Sequence, residues 1–159
     1  MITHSSEITV KWGESDPFGL VYFPLMLAWF NDTEHDLLRA IGYPTEKLIK
    51  DNRTAFVMGD VHFRFLGPAA YGDKVRTTIQ LVKLGGSTVH WDCKAVQVGS
   101  GEVVTEGRAI RIHAQIQDDG SLKSLRIPDE IRNALTRPGG LISFGEAEND
   151  RDSGADERS

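Results

Sequence analysis

The sequence predicts an α+β fold in which one long helix packs against an antiparallel sheet. A strand-like run near residue 10 is followed by one long segment with helical spacing, and further stretches of alternating apolar and polar residues come after it. Only short turn sequences separate those later stretches, and short turns join antiparallel neighbours. An apolar helix face and an apolar sheet face bury each other, so we expect one helix-on-sheet domain.

The first strand and a glycine-bordered loop precede the helix. Ile8, Val10 and Trp12 alternate with polar residues, which predicts a strand, whereas residues 1–6 are polar and are expected to lie loose. The loop at 13–19 reads Gly-Glu-Ser-Asp-Pro-Phe-Gly and ends shortly before the helix. Its glycines and its internal proline predict a sharply turned, irregular segment.

The long helix is expected to run from about Pro24 to Ile41. Proline suits the first helical turn, because its missing N–H would have no intrahelical partner there, and glycine and proline follow the segment as stop signals. The apolar residues within one narrow arc at helical spacing are Phe23, Leu27, Phe30, Leu37 and Ile41. Glu34 interrupts this arc, so its carboxylate needs either water or a buried partner.

The later segments predict a short helix, four strands and a terminal helix. The short helix is expected at Thr45–Lys50, with Leu48 and Ile49 facing inward. The strands are expected near 54–66, 75–81, 87–98 and 102–117, and the terminal helix at 128–135.

A lone sheet with one helix leaves one face of the sheet without cover. Alternation along the strand at 54–66 puts Val61 and Phe63 on one side of the sheet. The apolar residues expected on the uncovered side are Phe56, Met58, Val104 and Ile110. An exposed apolar face of this kind predicts pairing with a second copy of the chain.

Charge and cysteine usage narrow the class of protein. Residues 1–138 are expected to form the single domain, whereas 139–159 are acidic, poor in aromatic residues and expected to be disordered. This tail carries most of the net charge of −5, so the domain is near neutral and offers no electrostatic case for binding nucleic acid. The single cysteine, Cys93, and the lack of a leader-like start predict a reducing, cytoplasmic location without a membrane segment.

Asp16 is the first candidate for chemistry. Its carboxylate lies in the irregular loop, a few residues before the helix begins. The first N–H groups of a helix carry partial positive charge and can polarise a carbonyl oxygen, while a nearby carboxylate could attack that carbonyl or activate a water. The alternative is an ordinary turn residue, because Asp-Pro commonly begins a turn. Spacing alone leaves both interpretations open.

Other catalytic patterns are missing from the sequence. No Gly-x-Ser-x-Gly segment occurs, and the five histidines show no spacing typical of metal ligands. Cys93 falls inside a predicted strand, where a cysteine is usually a small buried residue. We therefore expect neither a metal nor an organic cofactor.

Two segments resemble the 4-hydroxybenzoyl-CoA thioesterase family. The run 16–24, Asp-Pro-Phe-Gly-Leu-Val-Tyr-Phe-Pro, followed by Trp29 and Phe30, resembles the opening motif of that family. The segment 67–73 resembles its Pro-Ala-x-x-x-Asp turn, and the resemblance covers roughly residues 7–130. It implies the hot-dog fold, a curled antiparallel sheet around a central helix, with hydrolysis of acyl-CoA in active sites between the subunits of a homodimer or homotetramer.

The resemblance also implies roles for residues of the motif. Asp16 would be the catalytic carboxylate, either as nucleophile or as general base, and the backbone N–H of Phe23 would bind the thioester carbonyl oxygen. Gly19 and Tyr22 would contact the substrate, with Tyr22 shaping the acyl pocket. Some relatives have histidine in place of Phe23, and relatives usually carry an acid in place of Asn31.

Binding of the CoA portion is assigned to later segments. The 4-hydroxybenzoyl-specific enzyme has basic residues in a hairpin that here contains Lys83 as its only charge, so Ser87, Thr88, backbone amides or arginines elsewhere would contact the phosphates. His62 is a candidate for the pantetheine channel, with an exposed strand residue as the alternative.

The leading expectation is an acyl-CoA thioesterase, with an aromatic, 4-hydroxybenzoyl-like acyl group as one option. Aromatic residues crowd the opening motif, although those rings could equally belong to the core. Two alternatives remain open at this stage: a non-hydrolytic acyl-thioester binding protein, and a hot-dog dehydratase that acts on substrates carried by acyl-carrier protein.

Overall fold

The computed structural model describes residues 2–21 and 23–137. Tyr22 and the acidic tail at 139–159, for which the sequence made predictions, lie outside the described residues. The elements are β1 (Thr3–Thr9), a 3-10 turn (Trp12–Glu14), α1 (Phe23–Ala40), α2 (Thr45–Asn52), β2 (Thr54–Phe65), β3 (Lys74–Leu84), β4 (Thr88–Gln97), β5 (Val103–Ile116), β6 (Leu122–Ser124) and α3 (Asp129–Leu135).

The strands form one antiparallel sheet in the order β1-β3-β4-β5-β2, and β6 pairs with the end of β5. The predicted α+β class is confirmed, as are the positions of the long helix, the four later strands and the terminal helix. The short β6 was not predicted. No helix among the described residues combines the length and the apolar character needed to cross a bilayer.

The prediction that residues 1–6 lie loose is wrong. β1 begins at Thr3 and pairs with β3 from Thr3 opposite Gln80 to Thr9 opposite Lys74. Main-chain pairing does not require apolar side chains, and the inward side chains of this strand find polar partners: Ser6 Oγ lies 2.6 Å from Thr33 Oγ1 of α1. The strand ends earlier than predicted, because Trp12 lies in the 3-10 turn with 73% of its surface exposed.

The predicted extent of α1 is confirmed, but its predicted buried face is partly wrong. Phe23 was expected to face the core and is 55% exposed. The buried residues of α1 are Met26, Trp29, Phe30, Thr33, Glu34, Leu37 and Leu38. Among the strands, the backbone of α1 runs closest to β1 and β3, so it covers one half of the sheet more tightly than the half near β2.

A bulge in β2 overturns the predicted division of its side chains. The register with β5 shifts between Met58 and Asp60, at Gly59, so one residue is left out of the alternation. As a result Met58 and Val61 face the same side, toward α1. A side chain at Gly59 would lie within 2.9 Å of Ile112 Cγ1, which explains the glycine.

The sheet face away from α1 is polar, contrary to the prediction of an apolar face. Of the four residues expected there, Phe56 and Met58 line cavities beside α1 and Val104 is part of the core, whereas Ile110 does lie on the outer face. The charged residues that line the concavity on that face are Asp60, Arg64, Asp92, Lys94, Glu106 and Arg108. Two ion pairs link them, Arg64 with Glu106 and Arg108 with Asp92.

The core lies between α1 and the inner sheet face, and α3 closes one end of it. Leu37 of α1, Ile79 of β3 and Leu135 of α3 are each almost completely buried, and a side chain of this size contributes about 1.5–3 kcal/mol when it leaves water. The segment before α3 is tied to the β3–β4 hairpin, because Ile127 N–H donates to Gly86 O at 2.9 Å.

Two histidines are poor proton acceptors in the folded chain. His4 of β1 is fully buried, and this burial lowers its pKa below the ordinary value of 6.5 against the charge of Asp36. Burial, followed by the charge of Arg111, lowers the pKa of His35, whose ring lies 2.9 Å from Thr45 Oγ1. The unfolded chain takes up these protons more readily than the folded chain does.

Stability should therefore fall on acidification from about pH 7.5 to about pH 5.5, since protons bound preferentially by the unfolded state weaken folding below pH 6.5. Urea unfolding at both pH values should show a smaller loss for His4→Gln than for the parent. Leu122→Gln, at an exposed position without a titratable group, provides the control and should behave as the parent. An equal loss in parent and His4→Gln would contradict the assignment.

Candidate active site

The carboxylate of Asp16 organises its own loop. Its Oδ1 accepts hydrogen bonds from the N–H groups of Phe18 at 2.8 Å and of Leu20 at 3.1 Å. The loop is closed further because Asp16 N–H donates to Leu20 O at 2.6 Å and Gly19 N–H donates to Asp16 O at 2.9 Å. Gly19 has a φ of +78°, a left-handed conformation that other residues rarely adopt.

One of the two carboxylate oxygens of Asp16, Oδ1, thus has the structural role expected of an ordinary turn residue. The side chain stays partly exposed, and within the described residues Oδ2 accepts no hydrogen bond. One oxygen therefore holds the loop and orients the carboxylate, and the hydrogen bonds from the described loop amides leave the other oxygen unused. A structural role and a chemical role are compatible in the same side chain.

The two motif segments, about fifty residues apart in the chain, lie against each other. Val21 N–H donates to Ala69 O at 2.8 Å, and Leu20 forms an isolated bridge with Ala70. The carboxylate of Asp73 caps its own turn by accepting from Ala70 N–H at 2.8 Å. The Asp16 loop is therefore held on one side by the turn at 67–73.

The chain passes from this loop directly into the N-terminus of α1. Phe23 is the first residue of the helix, and its ring packs edge-on against Phe65 of β2 with centroids 5.4 Å apart. Tyr22, the expected acyl-pocket residue, lies outside the described residues. Trp29 belongs to the core, where its indole N–H donates to Glu14 Oε2 at 3.3 Å, so this ring of the motif is structural.

The predicted CoA-binding residues lie at the other end of the sheet. β3 begins at Lys74, beside the turn at 67–73, and ends at Leu84 in the hairpin, so the two ends are roughly 30 Å apart along the strand at about 3.3 Å per residue. Lys83, Ser87 and Thr88 are consequently remote from Asp16 within one protomer. A substrate contacting both would need the hairpin of another copy.

His62 is exposed on β2 and faces the outer, polar side of the sheet. It lines an open concavity of about 870 Å³ together with charged residues of β4 and β5. Phe63, the next residue, lines the cavity beside α1, so His62 and the α1 side of the sheet lie on opposite faces. The structure does not bring His62 together with Asp16, and its substrate role remains a prediction.

A buried ion pair was not found from the sequence. Arg111 of β5 donates through Nε to Glu34 Oε1 and through Nη2 to Asn31 Oδ1, both at 2.7 Å. The side chains of Arg111 and Glu34 are only 11% and 7% exposed. The sequence predicted that Glu34 needs water or a buried partner, but it did not identify Arg111. The signal that could have identified it is the position of Arg111, a charged residue at an inward position of a strand.

Burial raises the pKa of the Glu34 carboxyl above its ordinary value, and the charge and hydrogen bond of Arg111 act in the opposite direction. Beside this pair lies a cavity of about 50 Å³ between α1 and the sheet. Cys93 lines it as a buried residue, as predicted, and burial raises the pKa of its thiol to about 12, which excludes a thiolate nucleophile at neutral pH.

Comparisons with known proteins find thioesterases among the similar sequences. The chain resembles the acyl-acyl carrier protein thioesterase ATL3 of Arabidopsis thaliana at 22% identity, over 82% of this chain and 66% of that protein. The L-carnitine dehydrogenase/betainyl-CoA thioesterase of Rhizobium meliloti is 27% identical, over 89% of this chain and 30% of that protein. The chain spans less than two thirds of the length of these curated relatives.

A solved structure shows the same fold at low identity. A mutant 4-hydroxybenzoyl-CoA thioesterase in complex with 4-hydroxybenzoyl-CoA has a TM-score of 0.79 at 14% identity, covering 86% of this chain and all of that one. The expected hot-dog fold is thereby confirmed. Residues 10–135, most of the chain, match the family model described as the thioesterase-like superfamily, and the chain belongs to that superfamily.

Proposed function

We propose that the protein is an acyl-CoA thioesterase that hydrolyses an acyl-CoA to the free acid and CoA. The observation that carries this proposal is the Asp16 carboxylate, which its own loop amides orient by one oxygen in the loop that precedes the N-terminus of α1 in the chain. Membership of the superfamily and the thioesterase names of its relatives support the same activity.

The helix start supplies the electrophilic side of the reaction. Peptide dipoles aligned along α1 place partial positive charge at its first turn, and the proposed donor to the thioester oxygen is the backbone N–H of Phe23. A backbone donor does not depend on the side chain, so phenylalanine can replace the histidine of some relatives at this position.

Asp16 drives the attack on the thioester carbonyl carbon by one of two routes. As a nucleophile, Oδ2 attacks the carbonyl carbon, the C–S bond breaks with release of CoA thiolate, and water hydrolyses the resulting anhydride. As a general base, the carboxylate takes a proton from water, which attacks the same carbon, and the tetrahedral intermediate expels the thiolate. Both routes need an ionised, oriented carboxylate with one accessible oxygen.

Replacing Asp16 by asparagine should abolish most activity without disturbing the loop. The amide oxygen of Asp16→Asn can still accept from Phe18 and Leu20, but the group can neither attack nor take a proton. We expect the rate of thiol release from a panel of acyl-CoAs to fall by roughly 100- to 10,000-fold, with stability unchanged within about 0.5 kcal/mol.

Asp73→Asn is the matched control, because Asp73 also caps a loop amide in the neighbouring turn. It makes the same chemical change outside the proposed reaction and should retain nearly all activity. Hydrolysis by Asp16→Asn within a few-fold of the parent, with both variants folded, would refute the role of Asp16.

The substrate is proposed to be a CoA thioester, and an aromatic acyl group remains one option. Solved structures with this fold are named as thioesterases for 1,4-dihydroxy-2-naphthoyl-CoA, gentisyl-CoA and 4-hydroxybenzoyl-CoA. Among the aromatic residues of the motif, Trp29 is in the core, whereas Phe23 lies at the helix start with 55% of its surface exposed and is proposed to contact the acyl group. A cytoplasmic location is proposed with this activity, consistent with the unpaired Cys93.

The working enzyme is proposed to be a homodimer or a homotetramer. β2 is an edge strand of twelve residues whose outer side meets no other described strand. Exposed edges pair readily, and isologous pairing of β2 with its copy would extend the sheet. The exposed apolar side chains along β2 are Met58, Val61 and Phe65. A second copy would also bring its own hairpin, with Lys83, Ser87 and Thr88, within reach of the bound CoA.

Light scattering should therefore give at least twice the mass of one chain. Met58 lies near the middle of β2, so Met58→Lys would place two like charges close together across a two-fold axis and should shift the protein to monomers with reduced activity. Leu122→Lys, an exposed change on β6, is the control and should leave the mass unaltered. A parent protein that is fully active as a monomer would refute the oligomer.

A further inference from the structure

The ion pair between Glu34 and Arg111 stands between two voids. The outer void, about 50 Å³, extends to the exposed Met58 on β2. The inner void, about 10 Å³, lies against Leu135 of α3. Both are lined by Glu34, Trp91 and Arg111, so these three side chains form a wall with one void on each side.

The outer void suits a hydrocarbon. Its lining is mainly aliphatic and aromatic, with Leu27, Phe30, Phe63 and Ala109 among its residues. The two charged groups of the wall are occupied, since Arg111 donates to Glu34 and to Asn31 at 2.7 Å, whereas the buried Trp91 Nε1 has no hydrogen-bond partner among the described residues. An apolar group inside would contact carbon on its sides and a closed ion pair at its end.

The outer void lies further along α1 than the proposed reaction centre, on the same side of the helix. Phe23, Leu27, Phe30 and Glu34 recur at intervals of three or four residues, so they form one stripe along the helix. At about 1.5 Å per residue, Phe30 lies roughly 10 Å and Glu34 roughly 16 Å beyond Phe23. Phe30 stacks on Phe63 of β2 with centroids 5.1 Å apart, which makes a side wall of the same groove.

We propose that the Glu34–Arg111 ion pair is the floor of the acyl pocket and limits the length of the acyl chain. The substrate class is a CoA thioester of an apolar acid of limited length whose tail ends in the outer void. The proposal rests on the thioesterase function proposed above, because that function places the carbonyl at the start of α1 and the tail along the stripe.

A charged pair is an effective floor for physical reasons. Each buried charge is tolerated because the other compensates it, so a hydrocarbon tail that separated them would leave two uncompensated charges out of water. Asn31 adds a second hydrogen bond to Arg111 and holds the guanidinium across the end of the void. A longer tail gains little from the inner void, because reaching it requires breaking this arrangement.

Binding of S-(2-oxoalkyl)-CoA ketones with tails from methyl to heptadecyl tests the floor without requiring turnover. These ketones keep a carbonyl oxygen but have no thioester bond. Calorimetry on the parent should show affinity rising roughly tenfold for every two methylenes buried, up to a break at the length where the tail meets Glu34. An unbroken rise through the longest tail would overturn the proposal.

The double variant Glu34→Leu, Arg111→Leu removes both charges together and shortens the side chain between the voids. Replacing a buried ion pair as a pair avoids the penalty of a lone buried charge. The break should move to longer tails by at least two methylenes, with roughly tenfold tighter binding of the tail that is two methylenes longer than the parent's limit. A break at the parent's length in a folded variant would overturn the proposal.

Asp92→Leu, Arg108→Leu is the matched control. It removes one acid and one arginine from an ion pair of 2.9 Å on the outer face of the sheet, away from both voids. Its break should coincide with that of the parent. A shift equal to that of the Glu34 and Arg111 variant would show that lost charge, not the floor, sets the length, and would overturn the proposal.

Ala109→Val tests the same floor if the double variant does not fold. Ala109 lines the outer void on β5, and valine suits a strand, so the change fills part of the void in front of the ion pair. The break should move to shorter tails, with binding of the shortest ketones unchanged; an unmoved break would overturn the proposal. Thioester hydrolysis by the parent is measured separately. If binding of the ketones is limited by tail length but the parent hydrolyses no acyl-CoA, the proposed thioesterase function is refuted and the proposed floor of the pocket is retained.

Discussion

One helix has to cover the apolar face of a sheet that is wider than the helix. The backbone of α1 lies closest to β1 and β3, and side chains rather than backbone fill the remaining space toward β2. Phe23 on Phe65 and Phe30 on Phe63 are the aromatic contacts that bridge this space. The groove, the cavity and the exposed edge of β2 all follow from this incomplete cover.

The same packing decides where chemistry is available. Because α1 is buried along most of its length, its N-terminus is held in place and its dipole points at whatever binds there. The loop before it is held in place by hydrogen bonds, since Val21 N–H donates to Ala69 O in the opposite turn and Asp16 Oδ1 accepts from amides of its own loop. A carboxylate and a helix start are thus positioned by two chain segments distant in sequence.

The incomplete cover also explains a charged pair in the middle of the molecule. An ion pair of this kind contributes little net stability, because removing Glu34 and Arg111 from water costs nearly as much as their attraction returns. Its value lies in geometry: the guanidinium spans from Glu34 to Asn31 and divides one irregular gap into two voids.

The sequence by itself determined the fold class, the long helix and four of the strands, because helical spacing and strand alternation are local signals. A compact motif also made Asp16 the candidate for chemistry, and that role stays a prediction. Only the tertiary structure decided that the polar N-terminus is a strand, that the bulge at Gly59 brings Met58 and Val61 to one face, and that Arg111 is the partner of Glu34. Those outcomes depend on pairing between residues far apart in the chain, and no local spacing encodes a distant partner.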